Sequence, residues 1–244
     1  MERIATAIVL LGTVGGLAGC SAPDDTGTRT DVPTDRSGGD GDVGGEVPVD
    51  DCAEGLKLIY VLDEDSTLYS FDPRIDGMAA FHEIGSVNCA SGGGPNSMAV
   101  SRDGYAYALF GQYDPFFGTW QCLGVNRVAL DTAACLGSTP FACGSDGFDK
   151  FGMGYATDTP GSTVETLFLG DSTDARLGTL DIPIGTTREI GALPEQGGEF
   201  TGNAEGELWG FFPYLVPPAV IQIAQDTGAE VRRFDLPTLD SMST

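Results

Sequence analysis

The chain has 244 residues, with 36 Asp and Glu against 12 Lys and Arg and one His, for a formal net charge of −24. That sign excludes a nucleic-acid backbone binder, which needs basic side chains to neutralise phosphates, and it opposes contact with anionic lipid headgroups. Because 41% of residues are apolar and the 36 glycines follow no period of three, the chain is neither wholly disordered nor collagen-like.

Residues 1–20 read as a secretory leader. Arg3 is a sparse basic start, Ile4 to Val14 is apolar, and Gly15, Gly16, Ala18 and Gly19 are small. The stretch is too short and glycine-rich to favour spanning a bilayer. Its end, Leu17-Ala18-Gly19-Cys20, resembles a bacterial lipobox. The resemblance implies a lipoprotein: cleavage before Cys20, a diacylglycerol on its thiol and a third acyl chain, of the palmitate kind, on its freed amine. Each buried methylene contributes about 0.8 kcal/mol, so several chains hold a protein where one would not. Ser21, rather than Asp, follows the lipid-bearing residue, which implies the outer membrane. The plainer alternative is an ordinary signal peptide whose Cys20 later joins a disulfide.

Residues 21–51 contain nine acids, two arginines, six glycines, three prolines and no aromatic, and are expected to form a disordered acidic tether. As a flexible coil it spans about 30 Å. Gly39-Asp40-Gly41-Asp42-Val43-Gly44 matches a dinucleotide fingerprint in form only, since no strand precedes it and its carboxylates repel a pyrophosphate.

Residues 52–244 are long enough for one domain with its own core. Long amphipathic helix patterns are missing, and a pair of hairpins recurs. The first hairpin is read at 58–71, 98–110, 152–170 and 200–212, with Tyr69, Tyr107, Phe168 and Trp209 at one equivalent position. The second follows around Asp72, Asp131, Asp181 and Asp226. A small, flat, half-apolar sheet cannot bury its faces alone and must stack on neighbours like itself. The expectation is therefore an all-β propeller of about four four-stranded blades at 56–86, 97–141, 151–192 and 199–237. These repeats resemble the YncE-like and WD-type propellers found in bacterial envelope lipoproteins, without a Gly-His and Trp-Asp signature pair. Only seven residues follow Pro237. The ring is thus minimal, an open arc, or part of a longer relative, and an open arc would expose its terminal sheet faces to self-association.

The leader directs the chain to an oxidising compartment, where the five cysteines after Cys20 are expected to pair rather than to hold metal. If Asp131 to Ala134 is a turn, Leu130 faces Cys135, Val128 faces Gly137 and, further out, Cys122 faces Cys143, which predicts a Cys122–Cys143 disulfide. Cys52 with Cys89 would tie the start of the first blade to its exit; Cys89 with Cys135 is the competing pairing.

Candidates for chemistry are few. His82 is the one imidazole and reads as a structural strand residue, only Lys57 and Lys150 are lysines, and no G-x-S-x-G elbow or P-loop occurs. The segment Gly94 to Gly104 resembles the P-N-G-x-x-x-S-x-D-G stretch of gluconolactonase-like propellers, which implies Asn96 as a ligand of a divalent cation polarising a lactone carbonyl. Two long aromatic loops, 111–122 and 211–219, join second to third strands and emerge at the same end of a propeller. They offer Phe116, Phe117, Trp120, Phe212 and Tyr214 as a rim for a protein or glycan partner. The leading expectation is a lipid-anchored envelope propeller acting as a non-catalytic binding or scaffold module, with no cofactor. The alternatives are a metal-dependent lactonase or esterase and a truncated paralogue without activity.

Overall fold

The structure, a computed structural model, describes residues 10–13, 58–89, 92–203 and 205–237. Its strands are β1 (Leu10–Thr13), β2 (Ile59–Leu62), β3 (Thr67–Phe71), β4 (Phe81–Ser86), β5 (Gly94–Val100), β6 (Tyr105–Asp114), β7 (Thr119–Ala129), β8 (Cys135–Ser138), β9 (Phe151–Thr157), β10 (Glu165–Asp171), β11 (Arg176–Asp181), β12 (Thr186–Ala192), β13 (Glu199–Gly202), β14 (Leu208–Phe212), β15 (Ala219–Ile223) and β16 (Glu230–Asp235). Four antiparallel four-stranded sheets take these strands in sequence order, four at a time. The first strands, β1, β5, β9 and β13, touch one another in cyclic order around an axis. The chain is a four-bladed β-propeller.

Successive side chains of a strand point to opposite faces, so one strand serves two seams. On β6, Ala106, Ala108 and Phe110 pack with Tyr60, Leu62, Leu68 and Met98 between the first and second sheets. Tyr107 and Leu109 of the same strand pack with Phe148, Phe151, Leu167 and Leu169 between the second and third. On β10, Phe168 turns the other way, to Phe200, Leu208, Phe212 and Ile221 between the third and fourth. Full burial of such a side chain contributes roughly 1.5–3 kcal/mol, which is why strands of only four to seven residues suffice here. At the axis the third and fourth sheets meet backbone to backbone. A Cβ on Gly154 would strike the Phe200 carbonyl and one on Gly202 the Ala156 backbone, so only glycine permits the approach.

The first sheet departs from the sequence reading. Its innermost strand is Leu10–Thr13, from the apolar N-terminal stretch, in antiparallel register with Ile59–Leu62; residues 59–86 supply the other three strands. In consequence Tyr69 lies on a third strand, whereas Tyr107, Phe168 and Trp209 lie on second strands. The misalignment has a local cause. The turn of the β2–β3 hairpin, with Asp63 N–H donating to Thr67 O (3.0 Å) and Ser66 in left-handed conformation (φ 65°), repeats the first-to-second turns elsewhere. There Ser101 N–H donates to Tyr105 O (2.9 Å) and Asn203 N–H to Glu207 O (3.1 Å), with Gly104 and Gly206 left-handed. Asp72, Asp131 and Asp226 fall in third-to-fourth connections, and Asp181 ends the third strand β11 at the fourth such turn.

Cys122 is bonded to Cys143, and Cys89 to Cys135 rather than to Cys52. The register behind the first pair differs from expectation. A bulge between Arg127 and Val128 sets Val128 opposite Cys135 and Arg127 opposite Gly137. Cys143 then reaches Cys122 from the crossing between β8 and β9, not along a continued ladder. The lipobox Cys20, the 21–51 tether and Cys52 lie outside the described residues.

Candidate functional site

The second-to-third turns and the crossings between sheets share one end of the propeller. On the β6–β7 hairpin Asp114 shapes the tip: its Oδ1 accepts from the N–H groups of Phe116 (2.8 Å) and Phe117 (3.1 Å), while Gly118 N–H donates to Asp114 O (2.9 Å) with φ +65°. An Asx turn closed by a left-handed glycine leaves the two rings no inward direction. Phe116 is 91% and Phe117 80% exposed. Tyr214, in the β14–β15 loop, is 76% exposed and rests beside Gly197 of the third-to-fourth crossing. These three rings are exposed on loops at that end.

Two other residues read as rim belong elsewhere. Phe212 is fully buried, edge-on to Phe200 at 6.2 Å, because it alternates with outward Phe211 on β14. Trp120 is half-buried: its ring covers Gly111, its Nε1–H donates to Asp149 O at 3.3 Å, and Lys150 Nζ stands 5.0 Å from the ring centre. It fastens the β8–β9 crossing to the hairpin beside the Cys122–Cys143 bond.

Behind the rim, polar groups bridge the axis. Met153 N–H donates to Ser97 Oγ (2.9 Å), and Ser97 Oγ–H donates to Glu199 Oε2 (2.7 Å), linking β9, β5 and β13. Asn96 Nδ2–H donates to Phe151 O at 3.0 Å. Burial raises the Glu199 carboxyl to about 8 despite the Ser97 hydrogen bond and the charge of Lys150, so at pH 7 it is mainly the neutral acid. Ser97 itself is fully buried, out of reach of a substrate. Nothing in the sequence distinguished Glu199; its role comes from β13 standing across the axis from β5.

The gluconolactonase-like reading requires oxygen ligands converging on Asn96. Among the described residues the one convergent set of metal-binding types is Cys122, Cys143 and Asp149, whose sulfurs are joined to each other. Asn96 itself is engaged with the Phe151 carbonyl.

No protein-family model matches the chain, and no curated protein matches it. Solved structures do. A protein of unknown function from Bacteroides caccae is 10% identical, with 73% of this chain and 57% of the neighbour covered and a TM-score of 0.42. One from Bacteroides thetaiotaomicron is 13% identical over 64% of this chain and 42% of the neighbour, with a TM-score of 0.41. A protein provisionally assigned as a gluconolactonase is 18% identical over 74% of this chain and 60% of its own, with a TM-score of 0.43. The likeness is one of fold. The chain spans about half the length of the first two.

Proposed function

We propose that this is a lipid-anchored propeller of the bacterial cell envelope, held through Cys20 in the outer membrane, that binds a protein or glycan partner without catalysis through its aromatic rim. The observation that supports it is the exposure of Phe116, Phe117 and Tyr214 on turns built to project them. Large rings held outward supply contact area at little cost in side-chain entropy. Behind them Ser97 and Glu199 bridge β5 and β13. The strongly acidic chain adds a bias toward neutral or basic partners.

Crosslinking on intact cells tests the binding reading. The triple variant Phe116→Ala, Phe117→Ala and Tyr214→Ala is expected to lose neighbours that the wild type captures, at unchanged abundance of the propeller; an identical set of neighbours refutes it. Metabolic labelling with a palmitate analogue tests the anchor separately. Cys20→Ala is expected to abolish the label, and globomycin to halt processing of the precursor.

A further inference from the structure

The opposite end of the propeller carries a different surface. Between the second and third sheets, beneath the Ser101–Gly104 turn, lies a groove of about 620 Å³, within the size range of small-ligand sites, about 300–1,000 Å³. Tyr107 and Tyr155 stand in its wall with ring centres 6.1 Å apart. The Tyr107 hydroxyl donates to Asp103 Oδ2 at 3.3 Å, and Asp103 also accepts from the Ser101 hydroxyl. Glu165 Oε1 accepts the Arg102 N–H at 2.8 Å, and Arg102 in turn donates to Ser162 O, which fixes both side chains. Each carboxylate keeps lone pairs free for a further donor.

Two groups in this wall stand open. Among the described residues neither the Tyr155 hydroxyl nor the Arg188 guanidinium makes a hydrogen bond or ion pair, and both face the groove. Arg188, with Thr166 and Thr179, also lines a second groove of about 490 Å³ between the third and fourth sheets. The two grooves therefore form adjoining lobes across the third sheet, with Arg188 at their junction.

We propose that this surface binds a neutral oligosaccharide. Carboxylate acceptors, a five-donor guanidinium and a phenol that both donates and accepts match ring hydroxyls, and the tyrosine rings offer apolar faces to sugar C–H groups. Charge narrows the choice. The two lobes carry six carboxylates against Arg102 and Arg188, which repels a polyanion, while the hydroxyls of a neutral sugar can donate to the carboxylates and accept from Arg188. Two lobes suit an oligomer better than a single ring. This site is separate from the aromatic rim and stands or falls without it.

Saturation-transfer NMR of the full chain with millimolar maltotriose, cellotriose and chitotriose tests the proposal, with calcium chloride as the rival probe in thermal unfolding. Transfer to at least one trisaccharide is expected. Tyr155→Phe keeps the ring and removes one hydroxyl, so affinity should fall about fivefold, in keeping with one lost hydrogen bond. Arg188→Ala, at an exposed position, should weaken binding by at least as much, and Met78→Ala, at an exposed position outside both grooves, should leave it unchanged. Transfer to none of the three, thermal protection by calcium alone, or affinity unaltered in both groove variants overturns the assignment. Equal loss in Met78→Ala would mean that binding is not confined to the grooves and would overturn it too.

Discussion

The seam between the second and third sheets and the seam between the fourth and first are built from the same kind of strand and end differently. At the former, Leu109, Phe148, Phe151, Met153 and Leu169 are all fully buried in one cluster. At the latter the fourth sheet presents Trp209, Phe211, Val220 and Phe234, with Phe211 38% and Phe234 50% exposed. Trp209 stacks on Phe234 at 5.9 Å under the Arg232 guanidinium, and the Thr201 hydroxyl is buried without a partner. The facing side of the first sheet holds Val61, Tyr69, Phe71 and the exposed Phe81. The difference teaches that the seam where the ring closes on the first sheet leaves outer-strand aromatics half-covered, whereas the inner seams bury theirs. Here one side depends on β1, contributed from residues distant in sequence.

The largest expected effect removes that strand. A chain begun at Cys20, the form left by the proposed processing, lacks the inner strand partner of Ile59–Leu62, which keeps only Thr67–Phe71. Amide exchange there should accelerate until local opening costs close to nothing, while Leu167–Gly170 stays protected. The freed sheet faces should also make sedimentation concentration-dependent. A monomer at every concentration, with exchange unaltered, would break the contrast.

The next effect compares single side chains. Leu169→Ala, at the closed seam, should cost about 3 kcal/mol in denaturant unfolding, whereas Phe211→Ala at the open seam should cost about 1 kcal/mol or less. Equal costs would mean that the fourth seam is as tightly packed as the second.

The smallest effect is on pH dependence at the axis. The folded Glu199 carboxyl lies at about 8 against an ordinary 4.5, so between those values the folded state holds the proton more firmly than the unfolded one. Its contribution is full below pH 4.5 and is lost as pH rises through 8. Glu199→Gln should therefore flatten the decline in melting temperature across that window and gain on the wild type at pH 8. An unchanged slope would place the proton elsewhere.

Much of this was legible in the chain itself. Alternating apolar residues and recurring Asp turns marked the strands of sheets two to four within a few residues, because side-chain period and turn chemistry are local properties. The first sheet was misread by one strand because Asp63 to Thr67 closes its turn just as Ser101 to Tyr105 does, and local chemistry cannot say which strands a hairpin joins. The exposure of Phe116, Phe117 and Tyr214 was legible from loop length and composition, whereas the burial of Phe212 was not, because adjacent aromatics on a strand look alike until burial chooses between them.

By itself the sequence determined the strand content, the turns and the acidic charge, all set by residues near one another along the chain. Tertiary structure alone decided that Ser97 meets Glu199 across the axis, that Cys89 joins Cys135, and that Tyr155 and Arg188 share one groove. Those pairings depend on how four sheets close around an axis, and such closure is a long-range balance of packing that no local pattern encodes.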